Sequence, residues 1–163
     1  MTFAFAEVGC VGQGERAYKA ASALLRRWGH FQLGWTGVDP STGTSVGSPV
    51  VVTSLTLFLW HCNPLRIVYS AQRDPPRFRL PWQPRPPRSL RFAHGCVEGH
   101  MLAGEEGFGV EMQQDGSVWY DITTFSKPVH PLAIAFFPLT RYFQTRFTSE
   151  SARLVQTAVA ADA

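Results

Sequence analysis

The chain has 163 residues, of which 45% are hydrophobic and 17% charged, with a formal charge of +3. That is one domain's worth of residues with ample material for a buried core, which excludes an intrinsically disordered chain and leaves no room for a two-domain enzyme. The longest apolar stretches, Val50–Trp60 and Pro131–Leu139, fall well short of the roughly 18 residues that a bilayer-spanning helix needs, so no stable membrane insertion is expected.

From Gly14 the pattern becomes helical, because Ala17, Tyr18, Ala21, Leu24, Leu25 and Trp28 recur at three- and four-residue steps. The spacing predicts a helix over 14–28, with Gly29 as its stop. Phe31–Trp35 reads as a short strand, and Asp39–Gly43 is turn chemistry. Val46–His61 is rich in β-branched and aromatic residues, with His61-Cys-Asn-Pro64 as its turn and Leu65–Gln72 as the returning strand of an antiparallel hairpin.

An Arg/Pro-rich insertion follows, at about 73–91. It holds six arginines against the single acid Asp74, a formal +5, so the rest of the chain carries −2. The same segment holds six of the twelve prolines, which favour an extended polyproline conformation over a strand. The basicity is therefore a property of one loop, and no nucleic-acid partner is expected.

Leu90–Glu98 resumes as a strand and Glu98–Gly104 as a loop. Phe108, Val110 and Met112 then alternate up to Asp115-Gly116, a strong tight-turn pair, after which Val118, Tyr120, Ile122 and Thr124 take up the alternation. Ser126–Pro131 ends that hairpin, and Pro131 suits the first position of a final helix. Pro138 lies inside that helical pattern and predicts a kink or break. The order is α+β: a curved antiparallel sheet of five to seven strands gripping a long C-terminal helix, all in a single domain over 1–163. A coiled sheet cannot touch a straight helix everywhere, so a cavity between them is the default ligand site.

Two candidate motifs fall short of the chemistry they suggest. Gly12-Gln-Gly14-Glu-Arg-Ala17 partly fits a dinucleotide fingerprint, but that mechanism requires a parallel βαβ unit, and hairpins follow here. Neither a dinucleotide nor any other cofactor is expected. His94, Cys96 and His100 lack a second metal-binding arm, so no metal is expected either. No Gly-x-Ser-x-Gly elbow raises a serine nucleophile.

Glu105-Glu106 is more informative, because strand alternation turns one carboxylate toward the concave face and the other toward solvent. An inward carboxylate needs a partner, and His94, His100 or Arg66 could supply it. The bland alternative is a structural ion pair at a sheet edge. Tyr69 and Tyr120 are expected to point inward. Trp35, Trp60, Trp119, Phe125 and Phe136 fall where strands or the final helix would line an aromatic groove.

The segments Gly12-Gln-Gly14-Glu-Arg, Trp28-Gly-His-Phe-Gln-Leu-Gly-Trp35, Asn63-Pro-Leu-Arg-Ile-Val-Tyr69, Phe92-Ala-His-Gly95, Gly99-His100, Gly104-Glu-Glu-Gly-Phe108 and Phe125-Ser-Lys-Pro128 resemble the uncharacterised domain of unknown function nineteen-ninety. The resemblance covers nearly the whole chain, in order. It departs at His94-Gly95, where the family has an aromatic-Gly pair, and between Tyr69 and Phe92, where the family has a shorter connection. It implies the helix-grip fold of pollen-allergen-like and START-like proteins, and hence a pocket for a hydrophobic ligand. The positions it implies at the pocket's polar mouth are His94, Gly99, His100, Glu105, Glu106 and Ser126.

Three functions are therefore weighed. The first is a binding protein that carries a small apolar or amphipathic molecule at Trp35, Trp60, Tyr69, His94, His100, Glu105, Glu106, Tyr120, Phe125, Ser126 and Phe136, without catalytic residues. The second is an enzyme of cyclase, isomerase or hydrolase type, with Glu106 and His94 or His100 moving protons. The third is an interaction module that meets a protein partner through 73–91. The opening residues lack the basic and apolar regions of an export signal, and Cys10, Cys62 and Cys96 are odd in number and far apart. An intracellular, cytoplasmic protein with reduced thiols is expected.

Overall fold

The computed structural model describes residues 3–75 and 87–162. Its first element, strand β1 (Phe3–Gln13), is not among those expected from the pattern. Ala4, Ala6, Gly9 and Gly12 give it too little side chain for a two-residue hydrophobic period, and the strand is held by pairing with β7. Helix α1 (Gly14–Arg26) follows at once and buries Ala17, Tyr18, Ala21 and Leu25. At the junction Gly14 has φ +80° and its N–H donates to the carbonyl of Gly116 at 2.7 Å. Gly14 thus makes the tight turn into the helix, in a conformation that a side chain would strain.

Residues 31–35 do not form the expected strand. Trp28 adopts a left-handed conformation (φ 56°) and a 3-10 turn spans Gly29–Phe31. Consecutive His30 and Phe31 are both buried, which a strand's alternation forbids and a tight helical turn allows. Strand β2 is only Thr36–Gly37.

Strands β3 (Pro49–Thr56) and β4 (Leu59–Arg73) form the expected hairpin with a different turn. Leu57 and Phe58, at φ 51° and 67°, make it, so that Cys62 pairs with Thr53 and Pro64 with Val51. Pro64 reads as a terminator in sequence, yet pairing with β5 begins only at Leu65. There β4 has a neighbour on one side alone, a place where a missing N–H is tolerated.

Strands β5 (Arg88–Cys96), β6 (Leu102–Met112) and β7 (Ser117–Pro128) complete the sheet, and Asp115-Gly116 turns β6 into β7 as expected. Among the described residues seven strands pair antiparallel in the order β1-β7-β6-β5-β4-β3-β2. The polyproline reading of the insertion falls mainly on 76–86, outside the described residues. At its edges Arg73 ends β4, Arg88 bridges Glu15 and Asp74, and Arg91 bridges Glu111 and Asp121.

Helix α2 (Pro131–Ala135) is capped by His130, whose Nδ1 accepts from the Leu132 N–H, and Pro131 opens it. The chain breaks at Phe136 and restarts as α3 (Phe137–Ala161), with Pro138 in its first turn. The expected break occurs where the proline lacks a donor.

The core lies between the concave face and the two long helices. Trp28, Phe31, Phe92 and Phe108 pack at its centre, Trp28 on Phe92 and Phe31 on Phe108 edge to face. Every buried residue of α3 lies at or beyond Phe147. The helix is therefore gripped along its C-terminal part and stands off the sheet along its first turns. The fold is α+β, a curved antiparallel sheet gripping the C-terminal helix.

Candidate functional site

A cavity of about 460 Å³ occupies the space left under the first turns of α3. Phe31, Trp35, Val52, Leu65, Phe143 and Phe147 form its apolar walls. Leu57 and Leu59 at the β3–β4 tip, Met101 in the loop before β6, and Leu132 and Phe136 at the α2–α3 break also line it and are exposed. They form an apolar rim around the mouth. No helix among the described residues is long and apolar enough to cross a membrane.

The polar end lies deeper, on β5, β6 and β7. Register sets His94 opposite Glu106 and Glu106 opposite Thr124, so all three side chains share the concave face. The Thr124 hydroxyl donates to Glu106 Oε1 at 2.9 Å, and His94 Nε2 lies 3.7 Å from Glu106 Oε2. Burial raises the Glu106 carboxyl from its ordinary 4.5 to about 7, against a smaller opposing pull from the Thr124 hydroxyl. Burial also lowers the His94 imidazole to about 4. Between those values both groups are uncharged and the contact is not an ion pair.

The other expected residues divide between the cavity and elsewhere. Trp35 lines it, with its indole N–H donating to Glu150 Oε2 at 2.6 Å and the Arg146 guanidinium 4.5 Å above its ring. Ser126 lines it too, and its hydroxyl accepts from Gln144 of α3 at 3.1 Å. His100 is at the mouth with its Nδ1 on the backbone of Leu102, and exposed Glu105 touches the margin. Phe136 belongs to the rim.

Trp60, Tyr69, Tyr120 and Phe125 are placed outside the cavity. With the turn at Leu57-Phe58, Leu59 and His61 face in, so Trp60 faces out and is 59% exposed. A bulge between Ile67 and Tyr69 reverses the alternation, pairing Ile67 with inward His94 and Tyr69 with outward Ala93. Phe125 lies between inward Thr124 and Ser126, on the outer face. Tyr120 does point inward, but it is buried under α3 with its hydroxyl 3.0 Å from that of Ser151. Arg66 is exposed rather than a partner of Glu106. Cys96 shares the lining with His94, but no group of three potential metal ligands converges among the described residues.

Sequence reasoning missed Thr124, Gln144 and the rim apart from Phe136. Thr124 was recoverable, because the Asp115-Gly116 turn fixes the β6–β7 register that sets it against Glu106. Gln144 and the rest of the rim carried no signal, since they depend on where α3 crosses the sheet.

Residues 5–154 match the family model "Domain of unknown function (DUF1990)". The chain belongs to that family. It is 33% identical over 145 residues to a UPF0548 protein of Arabidopsis thaliana, covering 89% of this chain and 67% of that one. Its fold is similar to that of Ara h 8.0201, with a TM-score of 0.55 at 9% identity and 99% of both chains covered. It is also similar to a Thalictrum norcoclaurine synthase point mutant, with a TM-score of 0.50 at 12% identity over 95% of this chain and 94% of that one. These structural likenesses establish the helix-grip fold and nothing finer.

Proposed function

We propose that the protein binds a small apolar or amphipathic molecule in the cavity between the sheet and α3, and carries or sequesters it. The observation that supports this best is the 460 Å³ space with aromatic and aliphatic walls and an exposed apolar rim. Affinity would come from apolar burial, at about 25 cal/mol per Å² removed from water, while a few polar groups set orientation. Native mass spectrometry of protein purified without detergent tests the reading, together with titration by the neutral dye N-phenyl-1-naphthylamine. A co-purifying small molecule, or saturable dye binding, is the expected result. Repeated absence of both would overturn it.

A second reading is supported by Glu106 and His94. A carboxyl held near 7 beside a neutral imidazole inside a cavity suits proton transfer, as in a cyclase, isomerase or hydrolase. Glu106→Gln separates the two readings once metabolite profiling supplies a substrate. A carrier keeps its binding, whereas acid–base turnover stops.

A further inference from the structure

The inner end of the cavity differs chemically from its walls, and one atom there lacks a hydrogen-bond partner. His94 is 6% exposed at its side chain, and its Nε2 makes no hydrogen bond. Glu106 Oε2, which faces it, is 3.7 Å away, beyond hydrogen-bonding distance. Thr124 occupies the other oxygen of the carboxyl, Oε1. A buried ring nitrogen left unpaired costs as much as a lost hydrogen bond. Nε2 is sealed in this arrangement, and one oxygen atom admitted between Nε2 and Oε2 by a small shift of the two side chains would satisfy both groups together.

The surroundings select the chemistry of that oxygen. Among the described residues lining the cavity there is no lysine or arginine, while Glu105 and Glu106 are present. Arg73, Arg88 and Arg91, the described arginines of the basic stretch, do not line the cavity. A carboxylate or phosphate head would therefore be buried with no lysine or arginine as counter-ion, and an ammonium would be buried beside a carboxyl that is itself uncharged below about 7. A ketone or ether oxygen only accepts, and would leave one of the two facing atoms unpaired whenever that atom is itself an acceptor. A hydroxyl donates one hydrogen and accepts another, so it serves either assignment of the protons.

We propose that the cavity is a site for a neutral amphipathic alcohol whose hydroxyl enters first and sits between His94 Nε2 and Glu106 Oε2, with its apolar body against Val52, Leu65, Phe143 and Phe147. This rests on the carrier reading above and adds the polarity and orientation of the guest.

Competition against N-phenyl-1-naphthylamine tests it with four compounds of one chain length: decan-1-ol, decanoate, decylamine and decane. The assay is run at pH 6.5, between the values that burial gives His94 and Glu106. Decan-1-ol is expected to displace the dye at an at least about tenfold lower concentration than each of the others. His94→Phe is expected to abolish the preference for decan-1-ol over decane while keeping the dye. Should that variant fail to fold by circular dichroism, Glu106→Leu is expected to give the same result.

Decanoate or decylamine competing as well as decan-1-ol overturns the proposal, as does a folded variant that keeps the preference. Wild-type protein that binds neither the dye nor any of the four compounds overturns the carrier reading beneath it. Dye binding without discrimination among the four overturns the alcohol site alone.

Discussion

Replacing Glu106 by glutamine isolates what burial does to one carboxyl. In the folded protein it titrates near 7, against an ordinary 4.5 in the unfolded chain. Between those values the folded state holds a proton that the unfolded state has released. The resulting stability is fully present below about pH 4.5 and is lost as pH rises through 7. At about 1.4 kcal/mol per pH unit the complete loss is about 3 kcal/mol. The side chain keeps 18% of its exposure, so that figure is an upper bound. Glutamine has the same shape, retains an acceptor for the Thr124 hydroxyl and never ionises. Urea unfolding at about pH 5 should give nearly equal stabilities for wild type and Glu106→Gln. At about pH 8.5 the variant should be more stable by up to about 3 kcal/mol. A difference that is the same at both pH values would refute the reasoning, because the carboxyl would then titrate as a solvated group.

Other substitutions probe the frame around the site. His30 is fully buried with neither ring nitrogen hydrogen-bonded, and burial, reinforced by the charge of His94, lowers it to about 3. Its stability is present above about pH 6.5 and lost as pH falls toward 3, so His30→Leu should exceed wild type by about 3 kcal/mol at pH 4 in urea unfolding; equal acid sensitivity would contradict this. At Gly104 an added Cβ would lie 2.1 Å from the carbonyl oxygen of Phe125. Gly104→Ala should therefore cost roughly 2–4 kcal/mol by forcing β6 from β7, and an unchanged melting temperature would contradict the strand spacing. Leu57→Asn with Phe58→Gly supplies residues that suit the positive φ of the β3–β4 turn. It should raise stability by about 1 kcal/mol, read as a higher denaturant midpoint, and a lower midpoint would contradict that turn geometry.

Legibility in the sequence followed how local each determinant is. The Asp115-Gly116 hairpin, the α1 stripe and the break ahead of Pro138 were readable because each is set by chemistry within a few residues. β1 was not, since its small side chains carry no period and β7 supplies its order. The turn at Leu57-Phe58 lacked glycine, asparagine or proline, so the hairpin end was expected at His61–Pro64, the nearest turn-like residues. That displacement, and the bulge after Ile67, sent Trp60 and Tyr69 to the outer face. Alternation turned one of Glu105 and Glu106 inward, and the register with β5 and β7 makes it Glu106. Its distance from the mouth depended on where α2 and α3 cross the sheet, which no local pattern encodes.

The central claim is that the first turns of α3 stand off the sheet and leave an accessible apolar space. Fluorescence titration with N-phenyl-1-naphthylamine measures this directly when wild type is compared with Thr140→Trp, which places an indole in the cavity from a half-buried position of α3. Wild type should bind one equivalent with a blue-shifted emission, and the folded variant should bind little or none. No binding by wild type, or equal binding by both folded proteins, would contradict it.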